Sequence, residues 1–457
     1  MNNNQKIATN IEYLASIPYL DMPYLHNVSG EIAVLGSKSI SNRALLLASV
    51  CKNSTNIHGL LHSDDTKVML DALKILGVDV NIDQEKNIIT IKGNGTKYPN
   101  QQANLFMGNA GTAMRPLTAM LACMGGEYTL HGVPRMHERP IKDLVDGLAH
   151  IGANIEYLNN DGYPPIKILS PNFDFTKKIM IKGNVSSQFL SSLLMAIPTL
   201  GAEQDIKINI DGELISKPYV YLTLAVMQKF GVNVIHNLDD AQNNYLIIPK
   251  DSIYISPSDF YVEGDASSAS YMIASGVIAG NESITVTNVG KNSIQGDIAF
   301  VDALKQMGAK IEQNEFTTTA YKSNLVGAEI DCIAIPDAAM TLATVALFAH
   351  GSTTLYNIES WKVKETDRIL AMYNELTKLG AVVEYSNNHI KITPPVNDSA
   401  WQQPHQGINT YDDHRMAMCF ALCAFSDKLN GIKINHPACI AKTYPEFFTH
   451  LYGVVGL

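Results

Sequence analysis

The 457-residue sequence predicts an α/β protein built from repeated units. Six turns of small or acidic residues each precede an apolar run that is typical of a helix, near Gly36, Gly108, Gly183, Gly264, Asp337 and Asp413. A second marker, a helix-like run ending in glycine before a β-branched segment, occurs at Gly77, Gly152, Gly231, Gly308 and Gly380. Both markers recur in the same phase, which indicates about six copies of a unit of about 75 residues.

The length predicts more than one domain. A chain of 457 residues is too long for a single hydrophobic core and suits two or three domains. Six units divide most simply into two groups of three. Between about 241 and 262, polar and Pro/Ser-containing segments interrupt the pattern before the fourth unit begins. We therefore expect the domain change there.

Composition narrows the class of protein. The formal charge of −10 argues against nucleic acid or an anionic membrane as the main partner. No uninterrupted apolar run approaches the roughly 20 residues of a membrane span, and the polar N-terminus resembles neither a secretory nor a transit signal. The six cysteines form no C-x-x-C pair, and several lie in apolar helices. We interpret them as reduced core residues of a cytoplasmic protein.

The placement of arginine indicates anion binding. Only six of the 34 basic residues are arginine, and each lies in or beside a turn, a proline-bounded segment or a charged helix start: Arg43, Arg115, Arg135, Arg139, Arg368 and Arg415. A guanidinium binds carboxylate or phosphate through paired hydrogen bonds that lysine does not reproduce. We therefore expect arginine where the geometry of a bound anion matters.

The first turn is a candidate anion site. A predicted strand at 31–36 leads into Lys38, Ser39 and Arg43, which precede an apolar helix. The spacing is not that of a nucleotide P-loop, since the G-x-x-x-x-G-K-[ST] pattern is missing. Free backbone N–H groups at a helix start still favour an anion.

The second turn repeats this arrangement. Gly111 lies in a Gly/Asn/Thr turn that opens a helix, and Arg115 is expected in its first turn. An ordinary capped helix is the alternative. The following segment, 134–140, begins and ends in proline, which predicts a loop that presents Arg139. A surface salt bridge is the alternative for that loop.

The third unit offers uncharged donors. Ser186, Ser187 and Gln188 form its turn, and Ser216 and Tyr219 follow a predicted strand. Hydroxyl and amide groups of this kind suit the hydroxyls and phosphate oxygens of a polyol-like ligand.

The second half adds charged groups. If the chain is helical from Lys364, that residue and Arg368 share one face, with Glu365 beside Arg368; a solvated ion pair is the alternative. Asp413 and Arg415 open the sixth helix, where Asp413 alone would be an ordinary N-cap. An unpaired arginine near the positive end of a helix is unfavourable unless an anion binds there. This favours a binding role.

These motifs together resemble one family. The segments are GSKSISNRA, GNAGTAMRPL, PRMHERPI, SSQFLSSLL, SKPY, EGDASSAS, NSIQGD, IPDAAMT, WKVKETDR, DDHRMAM and AKTYPEFF. From about Gly36 to Phe448 they resemble the 5-enolpyruvylshikimate-3-phosphate (EPSP) synthase family, in its order. The resemblance implies two similar domains of three βαβαββ repeats each, of the inside-out α/β barrel type, with the active site in the interdomain cleft. The expected domains are 36–262, and 1–35 with 263–457.

The resemblance also implies the reaction. The carboxyvinyl group of phosphoenolpyruvate is transferred to the 5-hydroxyl of shikimate 3-phosphate, and phosphate is released, by addition and elimination through a tetrahedral intermediate. Neither cofactor nor metal is expected, the protein is expected to be a cytoplasmic monomer, and glyphosate is the expected inhibitor. Aromatic amino acid biosynthesis is the implied pathway.

Site residues follow from the matched motifs. The expected catalytic groups are Asp337, Glu365 and Lys38, of which Lys38 is expected beside other cations that disfavour its charged form. The expected phosphoenolpyruvate residues are Lys38, Asn109, Gly111, Arg139, Gln188, Arg368, Arg415 and Lys442. The expected shikimate 3-phosphate residues are Lys38, Ser39, Arg43, Ser186, Ser187, Gln188, Ser216, Tyr219, Asp337, Ser360 and Lys364.

Three positions depart from the family pattern. Leu35 replaces a usual proline, Asp412 a common asparagine, and Ser360 an asparagine that helps bind shikimate 3-phosphate. Gly111 keeps the form of glyphosate-sensitive members, so Gly111→Ala is expected to weaken inhibition because its methyl intrudes on the inhibitor.

Two alternative functions compete with this one. The sister carboxyvinyltransferase acting on UDP-N-acetylglucosamine usually carries a reactive cysteine on a mobile loop, which PRMHERPI lacks. A non-catalytic anion-binding homologue would need no base, whereas Asp337, Glu365 and Lys38 are all present.

Overall fold

The computed structural model describes residues 9–174, 179–183, 187–212, 214, 216–240 and 243–457. The chain forms two compact units, Gly36–Glu263 and Met1–Leu35 with Gly264–Leu457. We call them the N-terminal unit and the C-terminal unit.

The described helices include one that begins close to each of the six predicted turns. They are α1 (Ile11–Ser16), α2 (Lys38–Ser49), α3 (Asp64–Ile75), α4 (Gly111–Met124), α5 (Lys142–His150), α6 (Ser187–Ala196), α7 (Lys217–Lys229), α8 (Ala266–Ala279), α9 (Phe300–Gln306), α10 (Ala339–Val345), α11 (Arg368–Lys378), α12 (His414–Ala421) and α13 (Phe447–Gly453). The six predicted turns thus lead into α2, α4, α6, α8, α10 and α12.

Short strands alternate with these helices. They are β1 (Tyr19–Met22), β2 (Val28–Ala33), β3 (Ser54–His58), β4 (Asp79–Asp83), β5 (Ile88–Lys92), β6 (Gln102–Phe106), β7 (Glu127–His131), β8 (Asn154–Tyr157), β9 (Ile166–Leu169), β10 (Ile179–Lys182), β11 (Ile206–Asp211), β12 (Ile235–His236), β13 (Tyr245–Ile248), β14 (Asp259–Tyr261), β15 (Gly280–Thr287), β16 (Lys310–Gln313), β17 (Thr317–Tyr321), β18 (Glu329–Asp331), β19 (Thr353–Tyr356), β20 (Val382–Tyr385), β21 (His389–Thr393) and β22 (Ile432–Asn435). The first predicted strand, at 31–36, is therefore shifted toward the N-terminus.

The sheets follow one pattern. Among the described residues there are five four-stranded sheets, in which a parallel pair is extended by an antiparallel pair, as in β6-β7-β9-β8 and β18-β19-β21-β20. In three of these sheets a helix joins the two parallel strands directly, as α4 joins β6 to β7. This is the βαβαββ repeat. In the sixth repeat, β22 pairs with β1, and a parallel bridge joins Ile408 to Ile434.

Each unit completes its first sheet with the strand that precedes a crossing of the unit boundary. β2 pairs in parallel with β15, and β14 pairs in parallel with β3. The strand before each crossing therefore belongs to a sheet of the unit that the chain leaves.

The helices form the interior of each unit. All residues of α4 except Thr112 are buried, whereas strands such as β11 alternate between buried and accessible positions. A helix that is apolar all round belongs in a core, and an alternating strand covers one side of it. This confirms the predicted α/β repeat fold with helices inside the sheets.

The glycines of the second marker end helices as predicted. Gly77, Gly152, Gly231, Gly308 and Gly380 have φ between 85° and 92°. Glycine adopts this left-handed conformation readily, whereas a Cβ makes it strained. The repeat was therefore visible in the sequence because this backbone requirement recurs in five of the six repeats.

The cysteines are core residues. All six are free thiols, five of them buried, and burial raises the pKa of Cys51 to about 12. Among the described residues, no helix has both the length and the apolar character needed to cross a membrane.

Candidate active site

Asp337 is the centre of a charged cluster in the C-terminal unit. Arg368 Nη1 lies 2.9 Å from Oδ1, Lys364 Nζ lies 3.3 Å from Oδ1, and Arg415 Nη2 lies 3.0 Å from Oδ2. Burial alone raises the pKa of Asp337, but Arg415, Lys364 and Arg368 outweigh it and hold that pKa well below its usual range. The carboxylate is therefore ionised and bound by cations on both oxygens.

Arg368 links three carboxylates. Its side chain is 1% exposed, and besides Asp337 its Nε donates to Asp413 at 2.7 Å and its Nη2 to Glu365 at 2.8 Å. The second oxygen of Glu365 lies 3.3 Å from Lys442 Nζ. We call this set the C-terminal cluster: Asp337, Lys364, Glu365, Arg368, Asp413, Arg415 and Lys442.

Helix starts position these groups. Asp413 caps α12, with its Oδ1 accepting from the backbone N–H of Arg415 at 3.0 Å, and Asp367 caps α11. The buried Trp361 donates from Nε1 to the carbonyl of Pro336 at 2.6 Å, which ties the Lys364 segment to the residue preceding Asp337. Capping alone was the alternative for Asp413 in the sequence, beside the favoured binding role. It does not include the same carboxylate's second role as a partner of Arg368.

Two sequence expectations about this cluster are wrong. The chain is not helical from Lys364, because residues Glu359–Val363 form a 3₁₀-helix and Lys364 itself has an extended backbone; α11 begins only at Arg368. Arg415 is not unpaired, because Asp337 lies beside it. Glu365 and Arg368 are neighbours as predicted, and they form a direct ion pair.

A second buried carboxyl group lies close to Asp337. Asp297 accepts hydrogen bonds from Ser267 Oγ and, at 3.4 Å, from the backbone N–H of Ala338. Burial, followed by the charge of Asp337, raises the pKa of Asp297 to about 6. Sequence reasoning missed this residue, although it ends the NSIQGD motif.

Arg43 is the most buried predicted cation of the first turn. Only 7% exposed, it donates from Nε to Thr223 Oγ1 at 2.9 Å and from Nη1 to the carbonyl of Ser39 at 3.0 Å. Burial lowers the pKa of Arg43 to about 10, against a small opposing effect of Tyr219. These two recorded partners are neutral oxygens.

Gly111 lies against two guanidinium groups. Arg139 donates from Nη1 to the carbonyl and the side-chain oxygen of Asn109, at 2.8 and 3.0 Å, and Arg115 donates to the carbonyl of Pro140 at 3.0 Å. A methyl group on Gly111 would overlap Nη1 of Arg115 and lie 2.8 Å from Nη2 of Arg139. The buried Nε of Arg139 has no hydrogen-bond partner within the described part of the chain.

Three expectations for this unit are corrected. A carboxylate, and not only cations, lies beside Lys38, since Asp65 Oδ2 is 3.2 Å from its Nζ. The proline-bounded segment is not a loop, because Pro134–Glu138 forms a 3₁₀-helix, and Arg135 pairs with Glu138 on the surface, as the salt-bridge alternative expects. Arg115 lies in the second turn of α4, not the first.

The comparisons with known proteins bear on the whole chain. The family model described as EPSP synthase (3-phosphoshikimate 1-carboxyvinyltransferase) matches residues 24–451. The chain belongs to the EPSP synthase family. A relative from Ralstonia pickettii, named 3-phosphoshikimate 1-carboxyvinyltransferase, is 52% identical and covers 96% of this chain and 100% of its own length. One from Vibrio campbellii with the same name is 49% identical, over 94% and 98%.

Solved structures of the family agree with the fold. An EPSP synthase structure from Acinetobacter baumannii has a TM-score of 0.76 at 25% identity, covering 96% of this chain and 98% of its own. The enolpyruvyl transferase NikO from Streptomyces tendae, at 16% identity and a TM-score of 0.71, shares the fold. The predicted family, fold class and transferase class are confirmed, and the two alternative functions are not favoured.

The remaining EPSP synthase positions are found at helix starts. Ser187 and Gln188 form the first turn of α6, and Ser216, with φ of 54°, caps α7 before Tyr219. Ser360 lies in the 3₁₀-helix before Lys364. Ser186 lies outside the described residues. We call the following residues of the N-terminal unit the N-terminal cluster: Lys38, Ser39, Arg43, Asn109, Gly111, Arg115, Arg139, Ser187, Gln188, Ser216 and Tyr219.

Proposed function

We propose that this chain transfers the carboxyvinyl group of phosphoenolpyruvate to the 5-hydroxyl of shikimate 3-phosphate and releases phosphate. Family membership over residues 24–451 and relatives at about half identity support this reaction in the shikimate pathway. The observation that carries the chemistry is the carboxylate of Asp337, ionised and surrounded by Lys364, Arg368 and Arg415. An anion-binding protein without turnover has no need of a base among its cations.

In this proposal each substrate has its own set of residues, and the two sets share Lys38 and Gln188. The shikimate 3-phosphate residues are Lys38, Ser39, Arg43, Ser186, Ser187, Gln188, Ser216, Tyr219, Asp337, Ser360 and Lys364. The phosphoenolpyruvate residues are Lys38, Asn109, Gly111, Arg139, Gln188, Arg368, Arg415 and Lys442. Both substrates carry phosphate and carboxylate, so guanidinium groups with hydrogen-bonding capacity, such as Arg139, match them. The assignment of 36–262, and of 1–35 with 263–457, as two three-repeat domains belongs to this proposal.

Asp337 acts as the base toward the 5-hydroxyl. Without substrate its cations suppress its basicity, because they hold its pKa well below the usual range. The phosphate and carboxylate groups of the substrates compete for the same cations. As they draw Lys364, Arg368 and Arg415 away, the pKa of Asp337 rises and the carboxylate becomes a better proton acceptor.

Glu365 and Lys38 handle the proton at the methylene carbon. Protonation of that carbon creates positive character at C2 of phosphoenolpyruvate, and the oxygen of the 5-hydroxyl attacks C2. Elimination then removes a proton from the same carbon as phosphate departs. Glu365 pairs with Arg368 and Lys442, two phosphoenolpyruvate residues of the proposal, which supports a role of its carboxylate at the methylene carbon. Lys38 Nζ lies 3.2 Å from Asp65 Oδ2.

The proposal is tested by phosphate release from phosphoenolpyruvate. Three reactions contain shikimate 3-phosphate, no acceptor, or UDP-N-acetylglucosamine. We expect release only with shikimate 3-phosphate, inhibition by glyphosate that is competitive with phosphoenolpyruvate, and a monomer by light scattering. Release only with UDP-N-acetylglucosamine would assign the sister activity. Binding of both substrates without release would leave an anion-binding homologue, and Ser360→Asn would then be the first variant to examine.

A further inference from the structure

A strained turn lies immediately before the α12 groups of the C-terminal cluster. The backbone N–H of Asp413 donates to the carbonyl of Thr410 at 2.8 Å, and both residues between them have positive φ, 53° at Tyr411 and 54° at Asp412. Two left-handed residues in a four-residue turn are usual for glycine and asparagine. A bulky tyrosine is an outlier there and persists only where its surroundings enforce the conformation.

Glu375 is the residue that holds this turn. It is fully buried in α11, and its Oε1 accepts from the hydroxyl of Tyr411 at 2.7 Å. Its Oε2 accepts from the backbone N–H of Asn409 at 3.1 Å and from Lys378 Nζ at 2.6 Å. One carboxylate therefore fixes the turn through both a side chain and the backbone preceding it. Hydrogen bonds to an ionised group are among the strongest in proteins.

The strand side of the turn is fixed as well. Thr410 Oγ1 donates to the carbonyl of Asn435 at 3.0 Å, and Asn435 Nδ2 donates to the side-chain oxygen of Asn409 at 2.9 Å. The turn is thus held from α11 on one side and β22 on the other. The turn leads directly to Asp413, whose carboxylate binds Arg368, and then to Arg415 in α12.

We propose that Glu375 is a positioning residue for the phosphoenolpyruvate site, acting through Tyr411 and the left-handed turn on Arg415 and on the Asp413–Arg368 pair. The inference rests on the proposed function. Within the described chain, the buried Glu375 forms no hydrogen bond or ion pair with any of the seven residues of the C-terminal cluster. The task that we assign to it is therefore performed through other residues. Among the residues proposed for shikimate 3-phosphate, Arg43 is held by Thr223 and Ser39 and not by the turn, so we expect a smaller effect on this substrate than on phosphoenolpyruvate.

The test compares three single substitutions by steady-state kinetics. Tyr411→Phe keeps the ring but removes the hydroxyl, so we expect KM for phosphoenolpyruvate to rise about 3- to 10-fold, with KM for shikimate 3-phosphate unchanged within twofold. Tyr411→Asn also removes the hydroxyl, but asparagine adopts the left-handed conformation more readily. We expect its KM for phosphoenolpyruvate to lie closer to wild type than that of Tyr411→Phe. The matched control is Tyr321→Phe, which removes a tyrosine–glutamate hydrogen bond to Glu312 from an ordinary strand.

A fourth substitution, Glu375→Gln, keeps the test decisive. It removes the charge that pairs with Lys378, and we expect a larger rise in KM for phosphoenolpyruvate than in either Tyr411 variant. If both Tyr411 variants resemble Tyr321→Phe, or if Tyr411→Asn is impaired more than Tyr411→Phe, the positioning role is wrong and the ring merely packs. Loss of thermal stability in Glu375→Gln with both KM values unchanged would equally overturn it. Inactivity of the wild-type protein would instead reject the proposed function.

Discussion

The two clusters hold their cations by opposite means. In the N-terminal cluster, Arg43 and Arg139 donate to hydroxyl, carbonyl and amide oxygens, all of them neutral. In the C-terminal cluster, Arg368 and Arg415 donate to ionised carboxylates. Lys38, paired with Asp65, is an exception in the N-terminal cluster.

The pKa values follow this difference. Burial lowers the pKa of Arg43 to about 10. Burial also acts to lower the pKa of Arg368, but Asp413, Glu365 and Asp337 outweigh it and raise that pKa. We therefore propose that the N-terminal cluster offers its positive charge to an anion. In the C-terminal cluster three carboxylates offset most of the charge of four cations, and carboxylates are also groups suited to move protons.

The largest expected effect is on turnover. Asp337→Asn removes the proposed base, so we expect kcat to fall about 10²- to 10⁴-fold. The same change leaves Lys364, Arg368 and Arg415 without their shared carboxylate, so inorganic phosphate should raise the melting temperature of this variant more than that of wild type. Turnover close to wild type, measured by phosphate release, would remove Asp337 from the chemistry.

Glyphosate sensitivity tests how rigidly the N-terminal cluster holds its cations. The added methyl of Gly111→Ala meets Arg115 and Arg139, so both guanidinium groups must shift. We expect about 5- to 100-fold weaker inhibition by glyphosate and a raised KM for phosphoenolpyruvate. Gly453→Ala is the control, because a methyl there meets no atom within 4 Å. Unchanged inhibition in Gly111→Ala would reject the steric account.

The pH dependence of stability tests the second carboxyl group of the C-terminal unit. Asp297 has a pKa of about 6 when folded against 3.8 ordinarily, so the folded state binds a proton that the unfolded chain releases. Its contribution to the free energy of unfolding falls as the pH rises from about 4 to 6, by up to about 3 kcal/mol. In Asp297→Asn this dependence should disappear, as followed by urea unfolding at several pH values.

The control for that measurement is Asp302→Asn, an exposed change on α9 that should keep the wild-type slope. An unchanged slope in Asp297→Asn would mean that the carboxyl group is ionised throughout this range.

The smallest effect is expected at a departure from the family pattern. Asp412 has a left-handed backbone, with φ of 54°, and precedes another aspartate. Asparagine adopts that conformation well and carries no charge, so Asp412→Asn should increase the free energy of unfolding by less than about 1 kcal/mol. A decrease in thermal unfolding temperature would show that the charge of Asp412 itself stabilises the start of α12.

The sequence predicted the repeat and most of the charged residues, because both leave local signals. Glycine marks five of the helix ends, and five of the six arginines lie in the two clusters. Partners distant in sequence leave no such signal, as with Asp413 and Arg368, or Asp65 and Lys38.

Local helix periodicity was also misleading before α11. The 3₁₀ geometry there accompanies a tertiary hydrogen bond, from Trp361 to the carbonyl of Pro336, which a local pattern does not contain. Asp297 and Glu375 were missed for the same reason, since their roles depend on contacts made through folding.

The difference between the clusters, with neutral partners for Arg43 and carboxylate partners for Arg368, is tested most directly by making one substitution in each. Arg43→Met removes a buried cation whose recorded partners are neutral, so we expect the free energy of unfolding to stay within about 1 kcal/mol of wild type or to rise. Arg368→Met strands three carboxylates and should lower it by about 3–5 kcal/mol. Urea unfolding at pH 7 without substrates measures both. Equal losses in the two variants would contradict the account.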